Sequence, residues 1–329
     1  MKRRIFVAAA AAAPVILSAP SVLAQARQKV TYAYLLDPAY DTVVWAMRNG
    51  KVKSDLIDVE ATGMLIPQLL QATATKQYDV VMSAVVGVPA ALARGLEVRI
   101  LSAALLTSPN GEGGGVWVKK DSPLKSGADL KGKTLASYGL RSTGYMFARE
   151  AISRKFGLNM ALEGGDVRQI EVQAPNLPGA LATGQTDAAT LIHSQAWRAK
   201  QSGELVNICE TAQILNELYG PMVAAVNVGY PDKLAARTSA FQEFNRVLKA
   251  SVQYALANRN EVFEAVAKQT NIDTKFFDWW HDRTTSVPAV FGETHAKAVS
   301  TAWKMGVEMG MLKNAPDVAA VTWDKTLRA

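Results

Sequence analysis

Two stretches of this chain change hydrophobic period in the same order, and that repetition limits the fold more than any other feature. The pattern predicts strands at 30–34, 56–60, 79–83 and 98–103, separated by helices at 42–49, 67–75 and 89–93. Gly50 and Gly95 stand where two of these helices must stop, and Pro67 is tolerated in a first turn. A second series predicts strands at 133–137, 168–172 and 187–192, with helices at 144–156, 181–183 and 195–201. Shifted by 108 positions, Ala72, Ala74, Thr75, Gln77, Asp79 and Gly95 fall on Ala180, Ala182, Thr183, Gln185, Asp187 and Gly203. Six identities over 24 positions are few, but each falls at the same point of a helix–turn–strand–helix unit. Strands alternating with helices imply a parallel sheet covered on both faces, and two such series imply two lobes.

The size agrees: 329 residues exceed one typical domain of about 100 to 200. With 49% hydrophobic and 20% charged residues, whole-chain disorder, collagen and coiled coil are excluded. From about Tyr219 onward a strand at 222–227 precedes a helical tail. Ser239 and Gln242 have capping-box spacing there, and Phe241, Phe244, Leu248, Val252 and Ala255 share one face. Phe276, Phe277, Trp279, Trp280, Trp303 and Trp323 read as packing residues. The single Cys209 has no disulfide partner, and no cysteine pair exists to hold zinc or an iron–sulfur cluster. No cofactor or metal is therefore expected. The Gly-rich run 111–115 lacks the Lys-Ser/Thr of a phosphate loop and reads as a turn before a strand at 116–119.

Three of the basic residues behind the net charge of +7 are Lys2, Arg3 and Arg4, ahead of an apolar, alanine-rich run over 5–17. Pro14, Pro20 and the small residues around Ala24 and Ala26 complete the pattern of a cleavable signal peptide, residues 1–24, cut after 24 or 26. The Arg3-Arg4 pair also fits a twin-arginine signal, so Sec and Tat export both stay open. The expected destination is the bacterial periplasm, with no membrane span after processing. The remaining charge is scattered and carries no basic stripe with interleaved aromatics, so nucleic acid is not an expected partner.

Gln77-Tyr78-Asp79-Val80 through Gly95, Lys120-Asp121-Ser122-Pro123-Leu124-Lys125 with Asp129-Leu130-Lys131-Gly132-Lys133, and residues 180–188 resemble the nitrate/sulfonate/taurine family of periplasmic solute-binding proteins. The thiamine-pyrimidine-synthesis proteins share that sheet core. The resemblance implies an α/β fold: a bilobal periplasmic-binding-protein type II clamp, two doubly covered β-sheets joined by two crossovers near 119–127 and 218–223. Residues 27–122 and 220–329 would form lobe I, and 123–219 lobe II. It further implies a monomeric receptor that gives a small organic anion to an ABC permease and its ATPase. Two alternatives stay open on the same fold: a pyrimidine-synthesis enzyme, whose cysteine-rich motif is missing here, and a ligand-sensing module.

Ligands of open α/β sheets sit beyond the carboxyl ends of the strands. That places the loops 36–41 and 83–88 on one wall and 139–144 and 193–195 on the other. Ser142, Thr143 and Gly144 open a helix, whose free N–H groups and hydroxyls suit a carboxylate or sulfonate. Arg141 is a candidate for pairing with the anion, and His193 stands at the mouth of its lobe. Asp37, Tyr40 and Ser83 are the opposing candidates, Asp37 doubling as a turn residue because Pro38 follows it.

Overall fold

Strand β1 (Gln28–Leu35) alternates well enough to bury Val30, Tyr32 and Tyr34 and leads directly into α1 (Pro38–Arg48). Asp37 caps that helix, its Oδ1 accepting from the Ala39 N–H at 2.9 Å, and Pro38 supplies a first-turn φ, so α1 starts four residues before the predicted 42. The computed structural model describes residues 27–108, 110 and 112–328; the signal peptide lies outside the described residues. The chain continues as β2 (Ile57–Met64), α2 (Ile66–Thr75), β3 (Val80–Ala84), α3 (Gly87–Leu92) and β4 (Arg99–Thr107). Next come β5 (Gly114–Lys119), β6 (Thr134–Ser137), α4 (Thr143–Phe156), β7 (Arg168–Glu171), α5 (Leu177–Ala182), β8 (Ala188–Ile192), α6 (His193–Ser202), β9 (Leu205–Cys209) and α7 (Thr211–Tyr219). The last part holds β10 (Val223–Gly229), α8 (Pro231–Ala236), α9 (Thr238–Ala257), α10 (Arg259–Thr270), α11 (Thr274–Trp279), β11 (Thr285–Ser286) and α12 (Glu293–Glu308).

These strands form two sheets, in the orders β11-β4-β10-β3-β1-β2 and β7-β6-β8-β5-β9. Neither is wholly parallel: β10 runs antiparallel to β3 and β4, and β5 antiparallel to β8 and β9. Because β5 pairs in the second sheet, the chain first changes sheets between 107 and 114, ahead of the expected 119–127. It returns between α7 and β10.

The sequence repeat has a structural counterpart. Asp79 Oδ2 accepts from the Thr31 N–H of β1 at 3.1 Å, and Asp187 Oδ2 accepts from the Thr134 N–H of β6 at 2.7 Å. Each aspartate also returns its own N–H to the carbonyl of the same threonine, at 3.1 Å in both sheets. Gly95 and Gly203 follow their helices at φ +78° and +65°, backbone that a side chain disfavours. The repeated residues are thus those that fix a strand's neighbour and end a helix.

The first sheet is covered on one face by α1, α9, α10 and α11 and on the other by α2, α3 and α12. Met146 and Phe147 of α4 and Leu215 of α7 pack into that second layer, and Trp197 of α6 packs into the first. The second sheet has its own pair of cores, with Cys209 buried in one. Ser239 and Gln242 do not form the expected box; α9 opens two residues earlier, at Thr238 after Arg237, without a side-chain cap.

Candidate functional site

A cleft, partly open to solvent, lies between the carboxyl ends of the two sheets. Leu35, Ile66, Leu69, Met82, Leu105 and Leu106 form most of one wall, and Tyr138, Phe147 and Leu215 the other. Met82 and Ala84 face this space because alternate residues of β3 point the same way. By the same alternation Ser83 points away; it is buried, and its Oγ donates to the Ala84 carbonyl at 3.2 Å. Contrary to expectation, Ser83 lines not this cleft but the crevice behind it.

The start of α4 enters the cleft with Ser142, Thr143 and Gly144. Ser142 is the N-cap, its Oγ accepting from the Tyr145 N–H at 3.2 Å. Thr143 Oγ1 accepts from the Val86 N–H at 3.4 Å, bridging the end of β3 to α4. The N–H groups of Thr143 and Gly144 lie in the first turn, where a helix offers them no acceptor. Gly144 leaves room for Tyr138, since a Cβ there would overlap the Tyr138 hydroxyl. Burial pushes that phenol up to about 12, with the Ser142 hydrogen bond pulling the other way, so it stays a neutral donor at ordinary pH.

A second helix start, Thr211 and Ala212 of α7, lines the same cleft. Sequence reading missed it. Glu210 precedes it without a capping bond, so the usual Ser/Thr/Asp/Asn signal is absent. Two helix N-termini at one cleft give a positive end built from backbone dipoles. Among the described residues no Lys or Arg lines the cleft, and its charged or titratable members besides Tyr138 are Glu112 and His193. Glu112 is already matched: it accepts from Trp279 Nε1 at 2.7 Å and pairs with Arg283, with Lys200 at 4.0 Å.

His193 and Asp37 meet across the cleft mouth. Nδ1 lies 3.3 Å from Oδ2, without the alignment of a hydrogen bond, and both side chains are largely buried at 13% and 14% exposure. His193 holds φ +48°, unusual for a side-chain-bearing residue, and its ring meets the Trp280 ring edge-on at 5.8 Å. Tyr40, by contrast, is core. The Tyr32 hydroxyl donates to Asn227 Oδ1 at 2.9 Å, so Tyr40 donates to Tyr32, also at 2.9 Å, beneath the sheet. The early start of α1 turns Tyr40 inward and removes it from the ligand wall. Arg141 is exposed and borders a different crevice, because the Gly139–Ser142 turn carries it outward. Among the described residues no group of three His, Cys, Asp or Glu is placed to hold a metal ion.

Two helix-covered mixed sheets meeting over a cleft at their carboxyl ends are the fold of the periplasmic binding proteins. The chain belongs to the NMT1/THI5-like family, whose model matches residues 67–262. No curated protein sequence matches it. Among solved structures it is similar to the periplasmic aliphatic sulphonate binding protein SsuA from Escherichia coli. Identity is 14%, with 92% of this chain and 94% of that one covered at a TM-score of 0.70. The alkanesulfonate-binding protein SsuA from Xanthomonas axonopodis pv. citri, bound to MOPS, matches at 18% identity over 93% and 99%, also at 0.70. A mutant of DSZB in complex with biphenyl-2-sulfinic acid matches at 13% over 90% and 96%, at 0.63. At such identities the likeness carries the fold. No described helix is long and apolar enough to cross a membrane.

Proposed function

We propose that this chain is an exported solute-binding receptor. It takes a small organic acid, sulfonate or carboxylate, between its two lobes in the periplasm and hands it to an ABC importer. The observation that carries this reading is the makeup of the cleft: a mostly apolar wall with the N-termini of α4 and α7 entering it and, among the described residues, no cationic Lys or Arg in the lining. Such a site takes the apolar part of a ligand by burial and the acidic head by N–H groups and hydroxyls. Nitrate, which has no apolar part, fits it poorly. The lobes follow the strand pairing, 27–113 with 220–328 against 114–219, and residues 1–24 are the export signal. The two SsuA neighbours, an aliphatic sulphonate binding protein and an alkanesulfonate-binding protein, support the ligand class.

An enzyme on this fold is disfavoured by Cys209. It sits in a core of the second sheet, away from the cleft walls, and burial pushes its thiol up to about 12, so it supplies no ready thiolate. Calorimetry of the processed chain against alkanesulfonates, aromatic and aliphatic carboxylates, nitrate and pyrimidines tests the proposal. Binding of an acid with an apolar tail is expected. Absence of heat across the panel, or binding of pyrimidines alone, would overturn it.

A further inference from the structure

A second crevice lies behind the cleft, bordered by α2, α3 and residues 309–312 on the side of the first sheet and by the start of α4 and residues 161–163 on the other. Leu70 is the one lining residue the two spaces share, and the Val86–Thr143 contact stands between them. Three arginines line it: Arg94, Arg141 and Arg149. Arg94 and Arg141 are exposed, and neither pairs with a carboxylate among the described residues. Arg149 is different. It is only 2% exposed, no carboxylate pairs with it among the described residues, and its Nη1 is buried without a partner. Its Nε donates to the Met160 carbonyl at 2.7 Å. That carbonyl also accepts from Gln169 Nε2 at 3.2 Å, while Gln169 Oε1 accepts from the Tyr145 hydroxyl at 2.7 Å. The guanidinium is therefore held in one orientation with a donor left over.

An unpaired buried guanidinium is costly unless an anion reaches it, and a fixed fork of N–H donors is the geometry that carboxylates and phosphates select. We propose that this crevice is a second anion site, holding a small oxyanion between Arg149 and the Arg94/Arg141 pair. Glu163, on the rim, restricts it to anions small enough to leave that carboxylate in water. Because Arg94 follows α3 and Arg141 and Arg149 belong to the second sheet's unit, the anion bridges both halves. Its occupancy favours their close approach. The two assignments rest on different lining residues, so either survives failure of the other, although both occupants would favour the same approach of the halves.

The test is calorimetric titration of the full processed chain with inorganic phosphate, and separately with malonate, at constant ionic strength. One-to-one binding of either is expected, and which one binds identifies the oxyanion as tetrahedral or planar. Arg94→Gln with Arg141→Gln, both at exposed unpaired positions, is expected to weaken that binding about tenfold or more while leaving the thermal midpoint in anion-free buffer unchanged. Arg149→Lys, if it folds, is expected to abolish it. No binding of either anion, or equal binding by the Arg94/Arg141 double variant, would overturn the proposal.

Discussion

Gly144 is where a single methyl group decides the shape of the ligand end of the cleft. Its backbone is ordinary helix, so alanine there would gain roughly 1 kcal/mol of helix propensity if nothing stood in the way. The Tyr138 hydroxyl does stand in the way, well inside contact distance of the added Cβ, with the ring carbon behind it at 3.4 Å. We predict that Gly144→Ala destabilises the protein by about 1 to 3 kcal/mol, the usual cost of overpacking. Adding Tyr138→Phe should restore most of the loss, because the obstructing atom is then gone. Thermal unfolding of the four proteins of this cycle measures the coupling directly. A Gly144→Ala protein as stable as its parent would show that the hydroxyl does not occupy that position. The neighbouring cap gives a second expectation: Ser142→Ala removes the bond to the Tyr145 N–H and should cost about 1 kcal/mol by chemical denaturation.

At the scale of elements, α6 and α11 form an aromatic clasp between the halves. Trp197 lies 5.5 Å from Trp279 and 6.2 Å from Phe276, ring centre to ring centre, and the Trp279 indole N–H is fixed by Glu112. Trp279→Ala should therefore weaken ligand binding, by roughly the 0.5 to 1.5 kcal/mol of an aromatic pair or more, without unfolding either sheet. Unchanged affinity by calorimetry would remove this clasp from closure. Such elements differ in how readable they are. The strands and helices of the two repeats showed in the sequence because their glycines and aspartates do local work that only those residue types do well, as Asp79 and Asp187 illustrate. The missed elements β9 and α7 lack such signals. In β9, Asn207 interrupts the apolar run, and α7 starts after Glu210, which makes no cap bond. Ser142, Thr143, Gly144 and His193 could be placed at the cleft because strand ends and helix starts were legible. Tyr40 and Ser83 could not. One extra helical turn, or one step of strand alternation, separates cleft from core, and neither is written in composition.

For the whole molecule, folding is one equilibrium, and on the proposed function closure is a second linked to it. His281 bears on the first. Its ring stacks on Phe263 at 5.5 Å, and its Nε2 lies 2.8 Å from Thr42 Oγ1. That hydroxyl donates to the Ala39 carbonyl, so the imidazole is the donor. Burial, then the Arg259 charge, pushes His281 down to about 3 from 6.5. The neutral ring is the folded form, so its stability contribution is complete above 6.5 and is lost as pH falls from 6.5 toward 3, by up to about 1.4 kcal/mol per pH unit. His295, also lowered by burial, has the same sign. Asp79 is held low by the Thr31 N–H, Lys233 and Arg237, against the opposing effect of its burial, and its contribution fades only below 3.8. Denaturant midpoints at pH 7 and pH 4.5 should fall less in His281→Gln than in the parent; equal falls would place the titration elsewhere.

Closure rests on a few long polar contacts and on apolar packing between the halves. The polar contacts that join the halves beyond the clasp are Thr143 to Val86 at 3.4 Å, His193 to Asp37 at 3.3 Å, Arg154 to Glu308 at 3.5 Å and Lys200 to Glu112 at 4.0 Å, while the His193 ring meets Trp280 and Met146, Phe147 and Leu215 pack into the helix layer of the first sheet. The Arg154–Glu308 pair is largely exposed and adds at most about 1 kcal/mol. Thr143–Val86 and His193–Asp37 are long for hydrogen bonds, and Lys200–Glu112 is at the outer limit of an ion pair. On the proposed function the empty protein exchanges between this arrangement and more open ones, and the buried packing of Met146, Phe147 and Leu215 against the first sheet's layer is what opening must give up. A ligand that touches both walls shifts that balance by its differential affinity, and about 5.5 kcal/mol would carry it from 1:99 to 99:1. We predict that ligand lowers the radius of gyration in small-angle scattering and changes tryptophan fluorescence, through the approach of Trp197 to Trp279. Trp197→Phe should suppress the fluorescence change but not the change in radius. A radius that stays constant while calorimetry records saturable binding would mean that the halves do not move, and that the cleft takes its ligand already formed.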